Sequence, residues 1–300
     1  MRVVVTGGCG FIGSRLVVGL LARGDEVCVI DIASRPLDDA ALHLVSVLER
    51  DRLDPIFRGA DAVVHLAGYV REDMRRNPEA GTRLQLDGTR NVLEASISAG
   101  VTRVVLASSF YVYAACRSAA VDETDRIEAA GLEPFAAAKF ASEELCRTYA
   151  DRGSIRFTSL RIGSAYGAGG TNAVRAFLAA GFRGETIEVW GDGSRRNQYT
   201  FVGDLAAGIM AVLERPAASS DQVFNLVAPG ITTTADLAGL LAEEFGFRIA
   251  FRRDRSDGPS FPYMRSEKAT DLLGWRTLPF VEGLRLTAVE LGREIAEVVR

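Results

Sequence analysis

Cysteine and histidine are scarce in this chain, and neither is spaced for chemistry of its own. Cys9, Cys28, Cys116 and Cys146 have neither the density of a disulfide scaffold nor the spacing of a metal site. Reduced thiols in a cytoplasmic protein are the expectation. His43 and His65 are too few and too far apart for a metal centre, so no metal is expected. Long apolar runs are missing: nothing approaches the ~20 residues of a membrane span, and the N-terminal apolar run is too short for a signal peptide. Excess positive charge is missing as well. With 35 Lys and Arg against 39 Asp and Glu, the net charge of −4 gives no electrostatic reason to expect nucleic acid or an anionic membrane as partner. What remains is an ordinary globular composition, 48% hydrophobic and 25% charged over 300 residues. That length suits one large α/β domain, or a nucleotide domain with a smaller lobe.

Within that composition the chain is organised around Thr6-Gly7-Gly8-Cys9-Gly10-Phe11-Ile12-Gly13. The stretch follows the apolar run Val3-Val4-Val5 and opens a helical pattern from Ser14 to Ala22, which reads as strand, glycine turn, helix. Gly7 can take the φ of a tight turn, Gly10 lacks a Cβ where a pyrophosphate must approach, and Gly13 lets the helix pack closely on the strand. The helix N-terminus then offers N–H groups and a partial positive charge to phosphates. A second apolar run, Glu26 to Ile30, ends in Asp31, where a carboxylate would accept bonds from the adenosine ribose hydroxyls. Strand, turn, helix and acid in register predict a dinucleotide site rather than a bare glycine-rich turn. Cys9 reads as a small side chain tolerated beside the phosphates.

Strands and helices alternate through the first half, which predicts a parallel sheet covered on both faces. Strands are expected at Leu42–Val45, Ala60–Gly68, Arg103–Ala107, Phe157–Ile162, Thr186–Trp190 and Val223–Val227. Helices are expected at Asn77–Ala99, from Pro134 to about Tyr149, and at Asn172–Gly181, Val202–Leu213, Ala235–Phe245 and Glu282–Val299. Phe110–Tyr113 reads as the start of a polar connection. The fold class is α/β, a Rossmann-type doubly wound parallel sheet with a smaller mixed C-terminal substrate lobe. Residues 1–165 form the nucleotide-binding domain, completed by about 196–228; residues 166–195 and 229–300 form the lobe. Ligands of such sheets lie beyond the carboxyl ends of the strands. Ser46, Val47, Ala67, Gly68 and Tyr69 are therefore candidate positions on the cofactor side.

These residues resemble the extended short-chain dehydrogenase/reductases, in the NAD-dependent epimerase/dehydratase branch typified by UDP-galactose 4-epimerase. The resemblance runs the length of the chain. It rests on Thr6–Gly13, Asp31, His65-Leu66-Ala67-Gly68, Gly88–Ala95, Ser108-Ser109 with Val112-Tyr113, Lys139, Leu160-Arg161, Tyr166-Gly167, Trp190–Ser194, Val202 with Asp204, and Leu272–Trp275. It implies NAD as cofactor, held by Gly7, Gly10, Phe11, Ile12, Gly13, Asp31, Ile32, Ser46, Val47, Leu66, Ala67, Gly68, Ala107, Lys139 and Ile162. It also implies a nucleotide-sugar substrate near Tyr69, Ser108, Ser109, Tyr111, Ser164, Arg196 and Asn197. A homodimer through helices such as Gly88–Ala99 and Lys139–Tyr149 is implied too. Asp31 argues for NAD over NADP, because a carboxylate repels a 2′-phosphate, although Arg35 lies nearby in sequence.

In the family a Tyr exchanges the proton of the substrate hydroxyl while the cofactor takes hydride from the same carbon. A Lys four residues later holds the nicotinamide ribose and lowers the Tyr pKa, and a Ser or Thr bonds the hydroxyl. By position the Ser is Ser109 and the Lys is Lys139, but the Tyr position holds Phe135. Loss of a general acid–base group typically costs about 10²–10⁴-fold in rate. Three readings follow: an engineered removal of the hydroxyl, a natural Phe with Tyr111 or Tyr69 supplying the proton, or a protein that binds NAD without turnover. The intact Ser109 and Lys139 favour the first. Other departures concern the substrate. Ser164 replaces a common Asn, and Asn197-Gln198 replaces an Arg-Asp pair. Arg195 and Arg196 just before them either neutralise a diphosphate or are solvated turn residues. The acidic pair of sugar dehydratases is Phe110-Tyr111 here, which disfavours a 4,6-dehydratase. The expected activity is that of a sugar-nucleotide epimerase, with a ketoreductase or a non-catalytic NAD-binding sensor or scaffold as alternatives.

Overall fold

The computed structural model describes residues 1–35, 37, 39–258 and 260–298. Seven apolar runs become strands of one sheet: β1 (Arg2–Thr6), β2 (Glu26–Asp31), β3 (Ala41–Leu44), β4 (Ala62–His65), β5 (Arg103–Ser109), β6 (Arg156–Ile162) and β7 (Gln222–Leu226). Every pairing is parallel, and the spatial order is β7-β6-β5-β4-β1-β2-β3. The chain runs outward from β1 to β3 and returns to lay β4 on the other side of β1. The order therefore reverses between β1 and β4, and a crevice opens there at the carboxyl edge of the sheet.

Strand periodicity sends alternate side chains to two cores. Val3, Val5, Val27, Val29, Ala62 and Val64 pack on one face with helices α1 (Phe11–Ala22) and, from late in the chain, the Val202–Glu214 helix. Val4, Cys28, Ile30 and Val63 pack on the other with α2 (Arg50–Phe57) and, after the short α3 (Arg71–Arg76), with α4 (Pro78–Ser98). These strands are buried on both faces, which is why they read as continuous apolar runs rather than alternating ones. Asn77 caps α4 by accepting the Ala80 N–H at 3.2 Å, and Pro78 takes the first turn, where its missing N–H costs nothing. Helix α5 (Pro134–Asp151) also opens on a proline and turns Phe135, Lys139, Ser142, Glu143 and Cys146 inward along one face.

Element boundaries differ from expectation where side chains intervene. The run Ala60–Gly68 stops pairing after His65: the Leu66 N–H makes the last ladder bond, to the Thr6 carbonyl, and the Ala67 N–H turns to the Thr6 hydroxyl. β5 continues to Ser109, since Ser108 and Ser109 still pair with Arg161 and Ile162 of β6. Phe110–Tyr113 is a 3-10 turn, with Ser109 Oγ accepting the Tyr111 N–H. The last helix runs Phe280–Val298; Val299, expected as its end, lies outside the described residues.

A second core forms beyond the sheet from Tyr166, Val174, Leu178, Ile187, Val189, Tyr199, Leu237, Leu241, Leu284 and Leu291. Short strand pairs stitch this region together: Ser164–Tyr166 with Tyr199–Phe201, Ile187–Trp190 with Ile249–Arg252, and Arg196–Asn197 with Thr232–Thr233. Tyr263–Met264 pairs with Ala120–Val121 and carries the chain back beside the carboxyl edge of the sheet. No helix among the described residues is long and apolar enough to cross a membrane.

Candidate active site

Because every sheet strand is parallel, the residues that follow each strand gather on one edge. Gly7 takes φ +73°, and a Cβ there would lie 2.7 Å from the Ala67 nitrogen. At Gly13 a Cβ would lie 2.1 Å from the Gly7 carbonyl oxygen, so α1 and the turn touch backbone to backbone. At Gly10 a Cβ would meet only the Gly7 oxygen, at 3.1 Å, and otherwise open space. Gly10 is the N-cap of α1, and no side chain caps it. The positive end of the helix is thus presented across the Gly10 surface, a cradle that a pyrophosphate fits. Asp31 lies beside it: one carboxylate oxygen accepts the Cys9 N–H at 2.9 Å and the other the Ala33 N–H at 3.0 Å. Arg35 donates to Ser14 Oγ at 3.2 Å, which brings its guanidinium over the start of α1. Phe11 and Ile12 open the helix half-buried, and Ile32 is 77% exposed beyond Asp31.

Beneath this edge, polar side chains fix the loops. His65 contacts Thr6 Oγ1 at 2.7 Å and Thr89 Oγ1 at 3.2 Å, and burial holds its pKa down at about 3, so the ring is neutral. Asn91 donates to the Val47 carbonyl at 2.9 Å, and Gly88 leaves room for the Val47 side chain. Ser46 Oγ accepts the Leu48 N–H within its own loop. Gly68 faces Gln85 and Lys139: a Cβ there would stand 2.7 Å from Gln85 Oε1 and 3.6 Å from Lys139 Nζ. Gln85 Oε1 is buried without a hydrogen-bond partner among the described residues. Lys139 donates to the Ala107 carbonyl at 2.9 Å, leaving further donor capacity on its ammonium. Burial pushes its pKa down to about 8, against the stabilising charge of Glu143. An orphaned acceptor and an under-used buried ammonium side by side suit a ribose, whose hydroxyls both donate and accept. The residues present therefore fit a dinucleotide at both ends.

Next to Lys139 the edge of the sheet is lined by aromatic rings. Lys139 Nζ lies 6.0 Å from the centroid of the Phe135 ring, as four-residue helical spacing requires. Phe135 is 9% exposed and packs with Met74, Ala138, Tyr69 and Tyr111. Ser109, 8% exposed, and Ile162 close the end of β5 and β6. Ser108, expected beside the substrate, is engaged by the interior instead. Its hydroxyl donates to Glu143, which is fully buried and ion-paired with Arg161 at 2.8 Å. Tyr113 joins that network, with its hydroxyl held by Arg161 at 2.7 Å and Asn225 at 2.9 Å and its pKa pushed up to about 12 by burial. Successive strand residues point to opposite faces, so Ser108 and Ser109 cannot both face one ligand.

Farther out, Ser164, Arg196 and Asn197 line one pocket with Phe110, Gln198, Ile231, Phe261, Pro262, Tyr263 and Met264. The structure thus brings these three predicted substrate residues together. Arg196 is exposed, while Asn197 donates to the Tyr199 hydroxyl at 3.3 Å. Gln198 is turned inward, its amide bonded to Met264 and Ala228 backbone, and serves as a staple.

A model of the NAD dependent epimerase/dehydratase family matches residues 3–226. The chain belongs to this family. UDP-glucuronic acid decarboxylase 2 of Arabidopsis thaliana is 31% identical over 290 residues, covering 92% of this chain and 64% of that protein, so the chain spans less than two thirds of that relative's length. A UDP-glucose 4-epimerase from Thermotoga maritima, solved with UDP-glucose, superposes with a TM-score of 0.87 at 27% identity, covering 99% of this chain and 100% of that one. The Thermus thermophilus UDP-glucose 4-epimerase, solved with NAD, gives 0.79 at 28% identity, covering 98% and 99%.

In this epimerase/dehydratase chain, three features of the site lay outside the sequence reading. Gln85 sits three and four residues before Gly88 and Thr89 on the buried face of α4, a helical spacing that could have drawn attention to it. Arg71 stands over the Tyr111 ring at 4.8 Å, an approach across α3 that no motif marks. Gly167, Gly169 and Gly170 enclose the Phe11 ring, each close enough that a Cβ would meet it within 3.4 Å.

Proposed function

We propose that this protein is an NAD-dependent enzyme that transiently oxidises a ring hydroxyl of a nucleotide-activated sugar, the epimerase-type reaction. Bound NAD would supply the acceptor and donor for the hydrogen and two electrons of the reacting C–H bond. The observation that carries this reading is the buried Lys139 ammonium and the orphaned Gln85 oxygen meeting at Gly68, whose neighbour Ala67 abuts Gly7 of the glycine turn. In this reading the N-terminus of α1 and the Gly10 surface receive the pyrophosphate, and Asp31 accepts from the adenosine ribose. Lys139 holds the nicotinamide ribose, and its charge favours the ionised form of any acid–base group near it. Ser109 orients the reacting hydroxyl. Ser164, Arg196 and Asn197 hold the nucleotide end, where an exposed guanidinium suits a diphosphate. Water is limited by Phe135, Phe110 and Phe261 around the sugar.

Residues 1–165 with about 196–228 would then form the cofactor domain, and 166–195 with 229–300 the lobe over the substrate. Two copies would pair through α4 and α5, in the cytoplasm, where four unpaired thiols are at home. The test is calorimetric titration with NAD, then assay with UDP-glucose, UDP-glucuronic acid and dTDP-glucose. NAD binding with turnover of a nucleotide sugar, by this chain or by its Phe135→Tyr variant, supports the reading. A protein that binds NAD yet converts none of them in either form refutes it.

A further inference from the structure

The family position for a proton-exchanging hydroxyl is filled by Phe135, yet a phenol stands against that ring. Tyr111 meets Phe135 edge-on, with centroids 5.8 Å apart and planes at 86°. Its ring is braced by Phe110 at 4.4 Å and by Phe261 at 4.9 Å, and its N–H is bonded to Ser109 Oγ at 3.3 Å. The ring is thereby held against the residue that lacks a hydroxyl, while its backbone is tied to the residue that would bind the reacting one.

The hydroxyl itself is unengaged. Tyr113, Tyr149, Tyr166 and Tyr199 all have hydroxyl hydrogen bonds, whereas the Tyr111 hydroxyl, like those of Tyr69 and Tyr263, has no such partner among the described residues; of these three, only Tyr111 has its ring under a guanidinium and edge-on to Phe135. It is also supplied with positive charge. The Arg71 guanidinium lies 4.8 Å from the ring centroid and is anchored by Glu133, two residues before Phe135, at 3.1 Å.

We propose that the Tyr111 hydroxyl is the acid and base of this site, doing what Phe135 cannot. The assignment rests on the oxidoreductase reading above. The Tyr111 phenolate takes the proton of the substrate hydroxyl as the C–O bond becomes C=O. The hydrogen of the same carbon leaves with its two electrons to NAD⁺. On return the phenol gives the proton back to the oxygen as C=O becomes C–O again, the hydrogen and two electrons at the carbon being those that bound NAD would have held.

The groups facing Tyr111 are Arg71 and Glu72 of α3, Glu133 at the start of α5 and Arg195 from the lobe. Burial raises its pKa most, the two arginines oppose that, and the two glutamates add to it, leaving it above the usual phenol value. The base form therefore grows as pH rises, so turnover should climb toward alkaline pH. A tyrosine restored at position 135, beside Lys139, should move that limb to lower pH.

The test uses the full chain with NAD and UDP-glucose, comparing Tyr111→Phe, Tyr69→Phe, Phe135→Tyr and the double variant Phe135→Tyr with Tyr111→Phe. Tyr111→Phe should lower kcat by about 10²–10⁴-fold with NAD affinity retained, and the double variant should recover turnover. Ultraviolet titration should show a tyrosinate component, absent from Tyr111→Phe, that moves when UDP-glucose binds to the NAD-loaded protein. Retained activity in Tyr111→Phe overturns the assignment, as does loss in Tyr69→Phe alone. An inactive parent with an active Phe135→Tyr form overturns it too, while supporting the epimerase-type reading. If no form turns over, that reading fails, and a Tyr111 titration indifferent to UDP-glucose removes the assignment on separate grounds.

Discussion

Replacing Gly10 and Gly13 by alanine one at a time separates folding from cofactor binding. At Gly13 the added Cβ would lie 2.1 Å from the Gly7 oxygen and 2.7 Å from the Gly8 Cα, both backbone atoms of the turn. Relief requires α1 to move off β1, and overpacking of this kind costs about 1–3 kcal/mol or more. For a chain of this length that is a drop in Tm of roughly 2 °C per kcal/mol. At Gly10 the backbone is extended, φ −72° and ψ 178°, and the new methyl meets only the Gly7 oxygen at 3.1 Å. Folding should lose less than about 1 kcal/mol there. The methyl would nevertheless stand where a phosphate must come within reach of the helix N-terminus. One charge-assisted bond is worth about 1.5–3 kcal/mol, so NAD affinity should fall by about 10- to 150-fold. Thermal melting and calorimetric titration of the two variants give both numbers. A Gly10→Ala protein that binds NAD as tightly as the parent would refute the argument that phosphate approaches over Gly10.

Three further outcomes are expected. The His65 pKa is depressed to about 3 from 6.5, so between those values the unfolded chain holds a proton that the folded chain refuses. Stability should therefore rise with pH through this window and be lost as pH falls below about 6.5, by up to about 1.4 kcal/mol per pH unit from this group. Urea unfolding of parent and His65→Gln should diverge in slope across pH 4 to 6.5, on the order of one proton, and equal slopes would reject the assignment of that proton. Glu143→Gln leaves the Arg161 guanidinium buried without its counter-charge and should cost about 3–5 kcal/mol in chemical denaturation; a loss below about 1 kcal/mol would mean the pair is not closed to water. Arg196→Ala should weaken UDP-glucose about tenfold while sparing NAD, measured by competitive titration, and an equal loss for both ligands would point to collapse of the lobe instead.

The sheet was legible because its chemistry is local. Apolar runs, a glycine turn and a carboxylate at Asp31 each announce themselves within a few residues. Lys139 was assigned only through the family spacing, four residues after the position that Phe135 fills. The inward bond of the Ser108 hydroxyl was not legible, because a serine pair at a strand end looks symmetric until the pleat is known. The partner that claims Ser108, Glu143, is 35 residues away and belongs to a helix whose rotation sequence does not specify. Arg71 over Tyr111 and Gln85 beside Gly68 arise from contacts between distant elements. Composition carries no trace of them.

The enclosure of Phe11 by Gly167, Gly169 and Gly170 bears on how long a cofactor would stay. Phe11 begins the helix whose N-terminus would meet the pyrophosphate, and the glycines that hold its ring follow the strand Ser164–Tyr166 of the second region. The ring is a shared wall between the turn and that loop. A bulkier residue at Gly169 or Gly170 should wedge the wall apart and speed NAD dissociation, although neither residue belongs to the phosphate cradle. Residence time would then be set by a glycine loop more than 150 residues along the chain from the glycine turn that binds.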